Sequence, residues 1–226
     1  MKRIAVIGIG IMGNGIATNF LKHGYKVAIW NRTKEKLAEL VKLGAIIANT
    51  PKEATEKADI IFEVSANDQS SRSIWTGEDG ILAGATKEKI LVVCSTLSIS
   101  WVDELANICK SKQLQFFDMA MTGSRFGAEN GKLVLLVGGN EKILNKIKPD
   151  LGAISEQILY FGKAGLGMRF KLILNMLQAI HLIGLKEALI LAKKTGLDPM
   201  TVGEALAEKP GGAPTKSAWI GYQKGP

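Results

Sequence analysis

The segment 6–13, with the sequence VIGIGIMG, constrains the fold of this chain more than any other feature. Gly8, Gly10 and Gly13 follow a short apolar run and open an amphipathic segment, in the order strand, turn and helix. Gly8 allows a tight turn, Gly10 lets a ligand approach the backbone, and Gly13 lets the helix lie close to the strand. The helix N-terminus offers free N–H groups to an anion. The pattern predicts a site for a dinucleotide pyrophosphate, or else a tight βα turn without a ligand.

The residues after the second predicted strand bear on which dinucleotide fits. Asn31, Arg32 and Thr33 stand where an NAD-binding unit usually carries the carboxylate that holds the ribose 2′-hydroxyl. No carboxylate is there to repel a 2′-phosphate, and Arg32 supplies a planar cation suited to phosphate or to stacking on adenine. These residues therefore favour NADP over NAD. The alternative is that they only cap the next helix, with Thr33 at the N-cap.

The composition limits the class of protein. The 226 residues are 46% hydrophobic, which is enough for a buried core, and carry a net charge of +8. The cations are spread along the chain rather than clustered beside aromatic residues, so we expect no nucleic-acid partner. Cys94 and Cys109 lack metal-ligand spacing, which favours a reduced cytoplasmic protein without a metal site. We expect no signal peptide, because the chain enters a strand directly, and no membrane span, because polar residues interrupt the apolar stretch 172–192.

Strand-like and helix-like runs alternate along most of the chain. We predict strands near 3–8, 26–30, 45–48, 59–64, 90–94, 115–118, 133–137 and 157–161. We predict helices near 12–23, 33–43, 51–57, 69–76, 99–112 and 140–150. This alternation predicts an α/β fold with a doubly wound, mostly parallel sheet. Gly123, Gly127 and Gly131 indicate a loop between two of the strands.

A change of character near residue 164 predicts a second, all-α domain. A long helical pattern runs from there to about Lys194, and a further helix is predicted at 198–208. The long helix is apolar nearly all round, which is typical of a helix buried between domains or between subunits. We therefore divide the chain into domains 1–163 and 164–226, the second shortened and ending in a loop from 209. We also expect a homo-oligomer.

Lys171 in the long apolar helix is a candidate proton donor. A lysine in a buried apolar segment is costly unless it is paired or functional. Burial lowers the pKa of the amine and so suits it to proton exchange near neutral pH. Asn175 follows one turn later on the same face. The alternative is that Lys171 extends its amine to the surface near the start of the helix.

Two segments at predicted strand ends are candidate ligand sites. Ser95 and Thr96 end a strand at the carboxyl edge of the sheet, where ligands bind in open α/β folds, although they could equally cap the next helix. The segment 122–124, Thr-Gly-Ser, follows another strand and offers hydroxyl and backbone N–H groups suited to a carboxylate. Arg125 could pair with the same anion, whereas the alternative is an ordinary glycine-rich connection.

In combination these motifs resemble the β-hydroxyacid dehydrogenase family, which includes 3-hydroxyisobutyrate dehydrogenases and glyoxylate/succinic semialdehyde reductases. The resemblance covers essentially the whole chain. It rests on the glycine turn, Cys94-Ser-Thr96, Thr122-Gly-Ser124 and Gly165-x-Gly-x-x-x-Lys171-x-x-x-Asn175, in the order of the family. The segments 31–33, 123–125 and 128–133 are most similar to the NADPH-using glyoxylate/succinic semialdehyde reductase branch.

The resemblance implies a Rossmann-type domain followed by a shortened all-α domain. It implies reduction of a small carboxylated aldehyde or ketone by NADPH, reversible as oxidation of a β-hydroxyacid, with Lys171 as general acid and Asn175 orienting the substrate. Thr122, Gly123 and Ser124 would hold the substrate carboxylate. The cofactor-binding residues that it implies are Gly8, Gly10, Ile11, Met12, Gly13, Asn31, Arg32, Thr33, Val64, Ser65, Asn67 and Thr96.

The chain departs from the family pattern at several points. Thr122 replaces the usual serine of the substrate loop, the proline that commonly precedes it is absent, and Ser-Ala-Asn-Asp at 65–68 replaces a more apolar, proline-containing segment. Relatives continue through several more helices. The alternative function is therefore a cofactor-binding fragment or protein without useful catalysis. A third interpretation, a related imine reductase, is opposed by Lys171, because those relatives usually place a different proton donor at that position.

Overall fold

A computed structural model describes residues 2–208 of the chain. The strands are β1 Ile4–Ile7, β2 Val27–Trp30, β3 Ile46–Ile47, β4 Ile60–Glu63, β5 Ile90–Val93, β6 Gln115–Thr122, β7 Leu133–Gly138 and β8 Ser155–Gly162. The helices are α1 Ile11–Lys22, α2 Ala38–Lys42 (after a 3₁₀ turn, Lys34–Leu37), α3 Pro51–Glu56, α4 Asp68–Thr76, α5 Ile81–Gly84, α6 Ile99–Ser111, α7 Ser124–Glu129, α8 Glu141–Leu151, α9 Leu166–Lys194 and α10 Pro199–Glu208. The loop expected over 209–226 lies outside the described residues.

The eight strands form one sheet in the order β3-β2-β1-β4-β5-β6-β7-β8. Neighbouring strands run parallel, except that β6 and β7 are antiparallel. The chain order reverses at β1, which lies between β2 and β4, so their carboxyl ends meet at the switch point where open α/β sheets bind ligands. The predicted doubly wound, mostly parallel sheet is confirmed, and every predicted strand is present.

The sheet carries a packed core on both of its faces. On one face Phe20 of α1 packs against Phe62 of β4, with ring centroids 5.3 Å apart. On the other face Trp75 of α4 packs edge-on against Phe116 of β6, with centroids 5.8 Å apart. Burying each such side chain stabilises the fold by about 1.5–3 kcal/mol. Burial on two faces explains why the central strands are continuous apolar runs in the sequence.

The predicted glycine loop between β6 and β7 is wrong in part, because its central residues form α7. Gly127 lies inside this helix, where a Cβ would be 3.1 Å from the carbonyl oxygen of Lys132. The glycine therefore permits close packing of the helix against its neighbours rather than a chain reversal. The sequence analysis also missed the short helix α5. Thr33 occupies the predicted N-cap position, but its side chain makes no capping hydrogen bond.

The described residues divide into two compact units, one up to residue 173 and the other from residue 174 onward. The first unit holds the sheet and the start of α9, whereas the second holds the rest of α9 and α10. The expected domain division after residue 163 stays a prediction. The sequence predicts α9 to be buried, yet the second unit of this single chain exposes many of its apolar side chains. On the part of α9 in this unit, the apolar side chains with the highest exposed fractions are Met176, Ile180, Leu182, Ile183 and Leu191.

Helix α9 is also long and apolar enough to cross a membrane, as judged by length and composition alone. The same test is passed by apolar helices of soluble proteins, so the finding does not distinguish a span from an interface helix. In the described part of the chain, no group of three or more His, Cys, Asp or Glu side chains could hold a metal ion. Cys94 and Cys109 are free thiols, and both are buried.

Candidate functional site

A cavity of about 260 Å³ lies at the carboxyl ends of β1, β2 and β4. It brings together three segments that are far apart in the sequence: the glycine turn, the residues after β2 and the residues after β4. The predicted site residues among its walls are Gly8, Gly10, Asn31, Arg32, Thr33, Val64 and Ser65. Other walls are formed by Ile9, Trp30, Lys36, Ala66, Ser70, Ser73 and Ile74.

The glycine turn has the geometry that an approaching phosphate needs. Gly8 has a φ of +101°, and a Cβ there would lie 1.9 Å from the carbonyl oxygen of Val64. A Cβ at Gly13 would lie 2.0 Å from the carbonyl oxygen of Gly8, so neither position admits a side chain. Gly10 faces open space and is the N-cap of α1 without a side-chain cap. The first N–H groups of α1, at residues 11–13, therefore lack intrahelical partners and are available to an anion.

The residues after β2 supply the cations of the cavity. The exposed Arg32 makes no ion pair with the other described residues. Asn31 is already engaged, because its Oδ1 accepts a hydrogen bond from the Ile9 N–H at 2.9 Å and its Nδ2 donates to the Thr33 carbonyl at 2.8 Å. Its side chain thus ties the glycine turn to the end of β2.

Sequence reasoning missed Lys36, which also lines this cavity. The spacing between Lys36 and Thr33 is the sequence feature that indicates its position. Lys36 stands three residues after Thr33, and a 3₁₀ turn has three residues per turn, so both positions lie on the same side. The residues that line the cavity therefore include two cations and no carboxylate.

A neighbouring depression lies between the residues after β4 and those after β5. Asn67, Thr96 and Leu172 are among its walls. The Asn67 side chain caps α4 by accepting a hydrogen bond from the Ser70 N–H at 2.9 Å. Thr96 is exposed, whereas the capping role considered for it belongs to Ser98, whose Oγ accepts from the Trp101 N–H.

The segment 122–124 lies at the end of β6, where it opens α7. Gly123 has a φ of +119° and Ser124 a φ of +58°, a conformation that is strained for a residue other than glycine. Gly123 and Ser124 are exposed, whereas Thr122 is half-buried and pairs with Val134 of β7. Arg125 forms an ion pair with Glu129 at 2.6 Å, so its expected pairing with a substrate anion competes with this partner.

Helix α7 is fastened to the helix that begins at the glycine turn. The buried Asn19 of α1 donates from Nδ2 to the carbonyl oxygens of Gly15 and Ala128, at 2.9 Å and 2.8 Å. A Cβ at Gly15 would lie 2.5 Å from the Ala128 carbonyl oxygen, so the two helices touch through their backbones. The fold therefore holds the candidate substrate segment in a fixed position relative to the candidate pyrophosphate site.

The start of α9 is anchored to the sheet, and this anchor determines where Lys171 stands. The buried carboxylate of Asp118 in β6 accepts hydrogen bonds from the N–H groups of Gly165 and Met168, at 2.6 Å and 2.7 Å. The Met168 sulfur in turn accepts from the Leu97 N–H at 3.5 Å. The first turn of α9 is thus held beside the segment that follows β5.

Lys171 comes one turn after Met168 and is half-buried. Burial lowers the pKa of its amine, and none of the described carboxylates forms an ion pair with it. Its neighbour Leu172 borders the depression that contains Thr96. Asn175 follows on the same helix, within the second compact unit. The roles of Lys171 and Asn175 stay predictions.

Residues 3–162 match the family model described as the NAD binding domain of 6-phosphogluconate dehydrogenase. Residues 165–219 match the model described as the NAD-binding domain of NADP-dependent 3-hydroxyisobutyrate dehydrogenase. The chain is 33% identical to the chloroplastic glyoxylate/succinic semialdehyde reductase 2 of Arabidopsis thaliana, over 95% of this chain and 60% of that protein.

Two further proteins are similar to this chain over at least 90% of its length. The mitochondrial 3-hydroxyisobutyrate dehydrogenase of Rattus norvegicus is 33% identical over 90% of this chain and 61% of its own length. A solved structure of Mycobacterium tuberculosis 3-hydroxyisobutyrate dehydrogenase with L-serine has a TM-score of 0.85 and 26% identity, and the match covers 93% of this chain and 72% of that one. The chain thus spans about 60% of the length of the two curated relatives.

Proposed function

This chain belongs to the β-hydroxyacid dehydrogenase family, and from that premise we propose that it is an NADPH-dependent reductase of small carboxylated aldehydes or ketones. Glyoxylate and succinic semialdehyde represent the substrate class, because the plant relative is named for them. The reaction is reversible as oxidation of a β-hydroxyacid. An NAD(P)-binding, Rossmann-like domain of a dehydrogenase family is common to the matches.

The observation that carries the proposal is the cavity beside the glycine turn. Gly8 and Gly13 leave no room for side chains, which brings the backbone and the free N–H groups of α1 to the surface of the cavity. Arg32 and Lys36 line the same cavity without an accompanying carboxylate. A ribose 2′-phosphate meets two cations there and no like charge, so these walls favour NADPH over NADH.

The chain's own residues bind and orient the substrate in this proposal. When bound, NADPH supplies the hydride. The segment 122–124 holds the substrate carboxylate through hydroxyl and backbone N–H groups, and Asn175 orients the reacting oxygen. Lys171 donates a proton to that oxygen. Its lowered pKa makes the ammonium a better acid near neutral pH than an exposed lysine.

A second function class has one observation in its favour. The chain matches 60% of the length of the plant reductase, and the second function is binding of NADPH without useful catalysis. Both functions predict binding of NADPH. They differ in whether NADPH is oxidised when glyoxylate or succinic semialdehyde is added.

The deciding experiment follows the NADPH absorbance band with each substrate, using the wild-type chain and Lys171→Ala. We expect wild-type turnover with NADPH, and we expect the substitution to lower it by about 10²–10⁴-fold while nucleotide binding persists. Lys110→Ala, which alters an exposed lysine of α6, is the matched control and keeps full activity. Unchanged turnover in Lys171→Ala removes this residue from the mechanism, and binding without any turnover favours the cofactor-binding fragment.

We also propose a cytoplasmic, self-associating protein that acts on a small carboxylate and uses neither a nucleic acid nor a membrane. The two buried free thiols agree with a reducing compartment. The exposed apolar side chains of α9 support self-association.

A further inference from the structure

Glu63 is a fully buried carboxyl group next to the candidate cofactor cavity. It is the last residue of β4 and lies in register with Ile7 of β1 and Val93 of β5. The two residues that follow it, Val64 and Ser65, form part of the cavity wall. The role proposed above for this cavity does not use Glu63.

Polar groups from two other elements surround this carboxyl group. The Ser95 hydroxyl lies 3.2 Å from each of its oxygens. The Ser71 hydroxyl and the Trp75 indole N–H, both from α4, are buried near it, and neither has a partner at hydrogen-bonding geometry among the described residues. The fold therefore points several neutral donors at one buried acid.

No charged partner offsets the negative charge of an ionised Glu63 among the described residues. The titratable group that interacts with it is the buried Cys94 thiol, directly after β5, whose pKa burial raises far above its usual range. The neighbouring residue of β1 is apolar, and α4 contributes only Ser71 and Trp75. Burial raises the pKa of Glu63 to about 7, because the surrounding hydrogen bonds offset only part of the lost hydration.

A short chain of hydrogen bonds connects Glu63 to the cavity wall. The Ser65 N–H donates to Ser95 Oγ at 2.5 Å, and that hydroxyl donates to the Glu63 carboxylate. On the other side, Val64 touches the glycine turn, since its carbonyl oxygen lies 1.9 Å from where a Cβ of Gly8 would be. A phosphate above the glycine turn is therefore separated from the carboxylate by protein and not by bulk water.

We propose that Glu63 links cofactor binding to protonation, so that an anionic dinucleotide in this cavity causes Glu63 to bind a proton. This inference rests on the proposed cofactor role of the cavity. The reason is electrostatic: the cofactor phosphates and an ionised Glu63 carry like charges, and little water lies between them to screen the repulsion. The coupling is reciprocal, so protonation of Glu63 strengthens cofactor binding.

The test is titration calorimetry of the wild-type chain and Glu63→Gln at pH 7, in two buffers with different enthalpies of ionisation. Glutamine keeps the shape of the side chain but cannot ionise. NADH is the informative ligand, because it lacks the titrating 2′-phosphate of NADPH. We expect the wild type to take up a fraction of a proton per NADH bound and the variant to take up none. Between pH 6 and pH 8 the wild-type affinity for NADH should fall about fivefold or more, and that of the variant should stay level.

A second measurement does not depend on the variant folding. The infrared difference spectrum between nucleotide-bound and free wild-type protein should gain the carbonyl band of a protonated carboxylic acid. Equal proton uptake in the two proteins, or no such band on binding, overturns the inference and leaves the reductase proposal intact. Proton uptake without any turnover supports the inference and rejects the reductase. If neither nucleotide binds, both proposals fail.

Discussion

Arg32 is the residue that we expect to decide between the two nucleotides. It is exposed at the end of β2, lines the cavity, and forms no ion pair with the other described residues. Its guanidinium therefore gives up no existing charged partner when it contacts a phosphate. Asn31 differs, because both ends of its amide already hold backbone groups. This contrast favours Arg32 for the proposed contact with the 2′-phosphate, whereas Asn31 supports the turn.

We predict that Arg32→Ala weakens NADPH binding by about 10–100-fold, the cost of losing a hydrogen-bonded charge pair. NADH binding should change by less than about threefold, because NADH has no 2′-phosphate for Arg32 to contact. The control is Lys34→Ala, which removes a neighbouring exposed cation that does not line the cavity. Fluorescence titration of both variants with both nucleotides measures the effect. Equal losses for the two nucleotides contradict the assignment.

Glu63 gives the fold a dependence on pH that is independent of any ligand. Its pKa is about 7 in the folded chain against an ordinary value of 4.5, so the unfolded chain releases the proton first as pH rises. The stability that protonated Glu63 contributes is therefore fully present below about pH 4.5 and is lost as pH rises through 7, by up to about 3 kcal/mol. We predict that Glu63→Gln is more stable than the wild type at pH 8 and similar to it at pH 5, as measured by urea unfolding. A wild type that stays more stable than the variant at pH 8 would contradict this prediction.

At the scale of elements, the start of α9 depends on one buried carboxylate. Asp118 holds the N–H groups of Gly165 and Met168, and Gly138 leaves the space it needs, since a Cβ there would lie 2.4 Å from Asp118 Oδ1. Nearby, Arg169 and Asp103 form a bidentate pair at 2.9 Å and 2.7 Å in a more exposed position. The carboxylates of Asp118 and Asp103 thus both hold the N-terminus of α9, but only that of Asp118 is buried.

We predict that Asp118→Asn destabilises the chain by about 1–3 kcal/mol, because an amide cannot accept both hydrogen bonds and buries an N–H group of its own. Asp103→Asn is the matched control and should cost less than about 1 kcal/mol, since its pair is partly solvated. Urea unfolding of the two variants measures the difference. Comparable losses in both would show that Asp118 is not the main anchor of α9.

The strands and helices also show which parts of the fold the sequence can predict. The strands were predictable, because buried parallel strands such as 90–93 are unbroken apolar runs between turn residues. Helix α7 was not, because Gly127 indicates a loop until the carbonyl oxygen of Lys132 is known to lie 3.1 Å from the position of its Cβ. The sequence places Glu63 only inside the predicted strand 59–64, since the convergence of Ser71, Trp75 and Ser95 on it depends on the fold.

At the scale of the whole molecule, the second compact unit leaves its apolar surface uncovered. Leu182 and Ile183 of α9 are 69% and 61% exposed, and Met176, Ile180 and Leu191 add to the same helix. These exposed apolar side chains are the observation that supports the proposed self-association. A standard interface buries about 800 Å² on each partner, and a helix of this length can supply a large part of that area.

We predict that the wild-type chain is a dimer or larger oligomer and that Leu182→Glu shifts it toward the monomer, because the interface would have to bury an unpaired carboxylate. Leu43→Glu, at an apolar residue of the first unit that is 53% exposed, is the control and should leave the oligomer intact. Light scattering of the purified proteins over a range of concentrations measures both. A wild type that stays monomeric contradicts the prediction, and recovery of the chain in the membrane fraction would mean that α9 spans a bilayer instead.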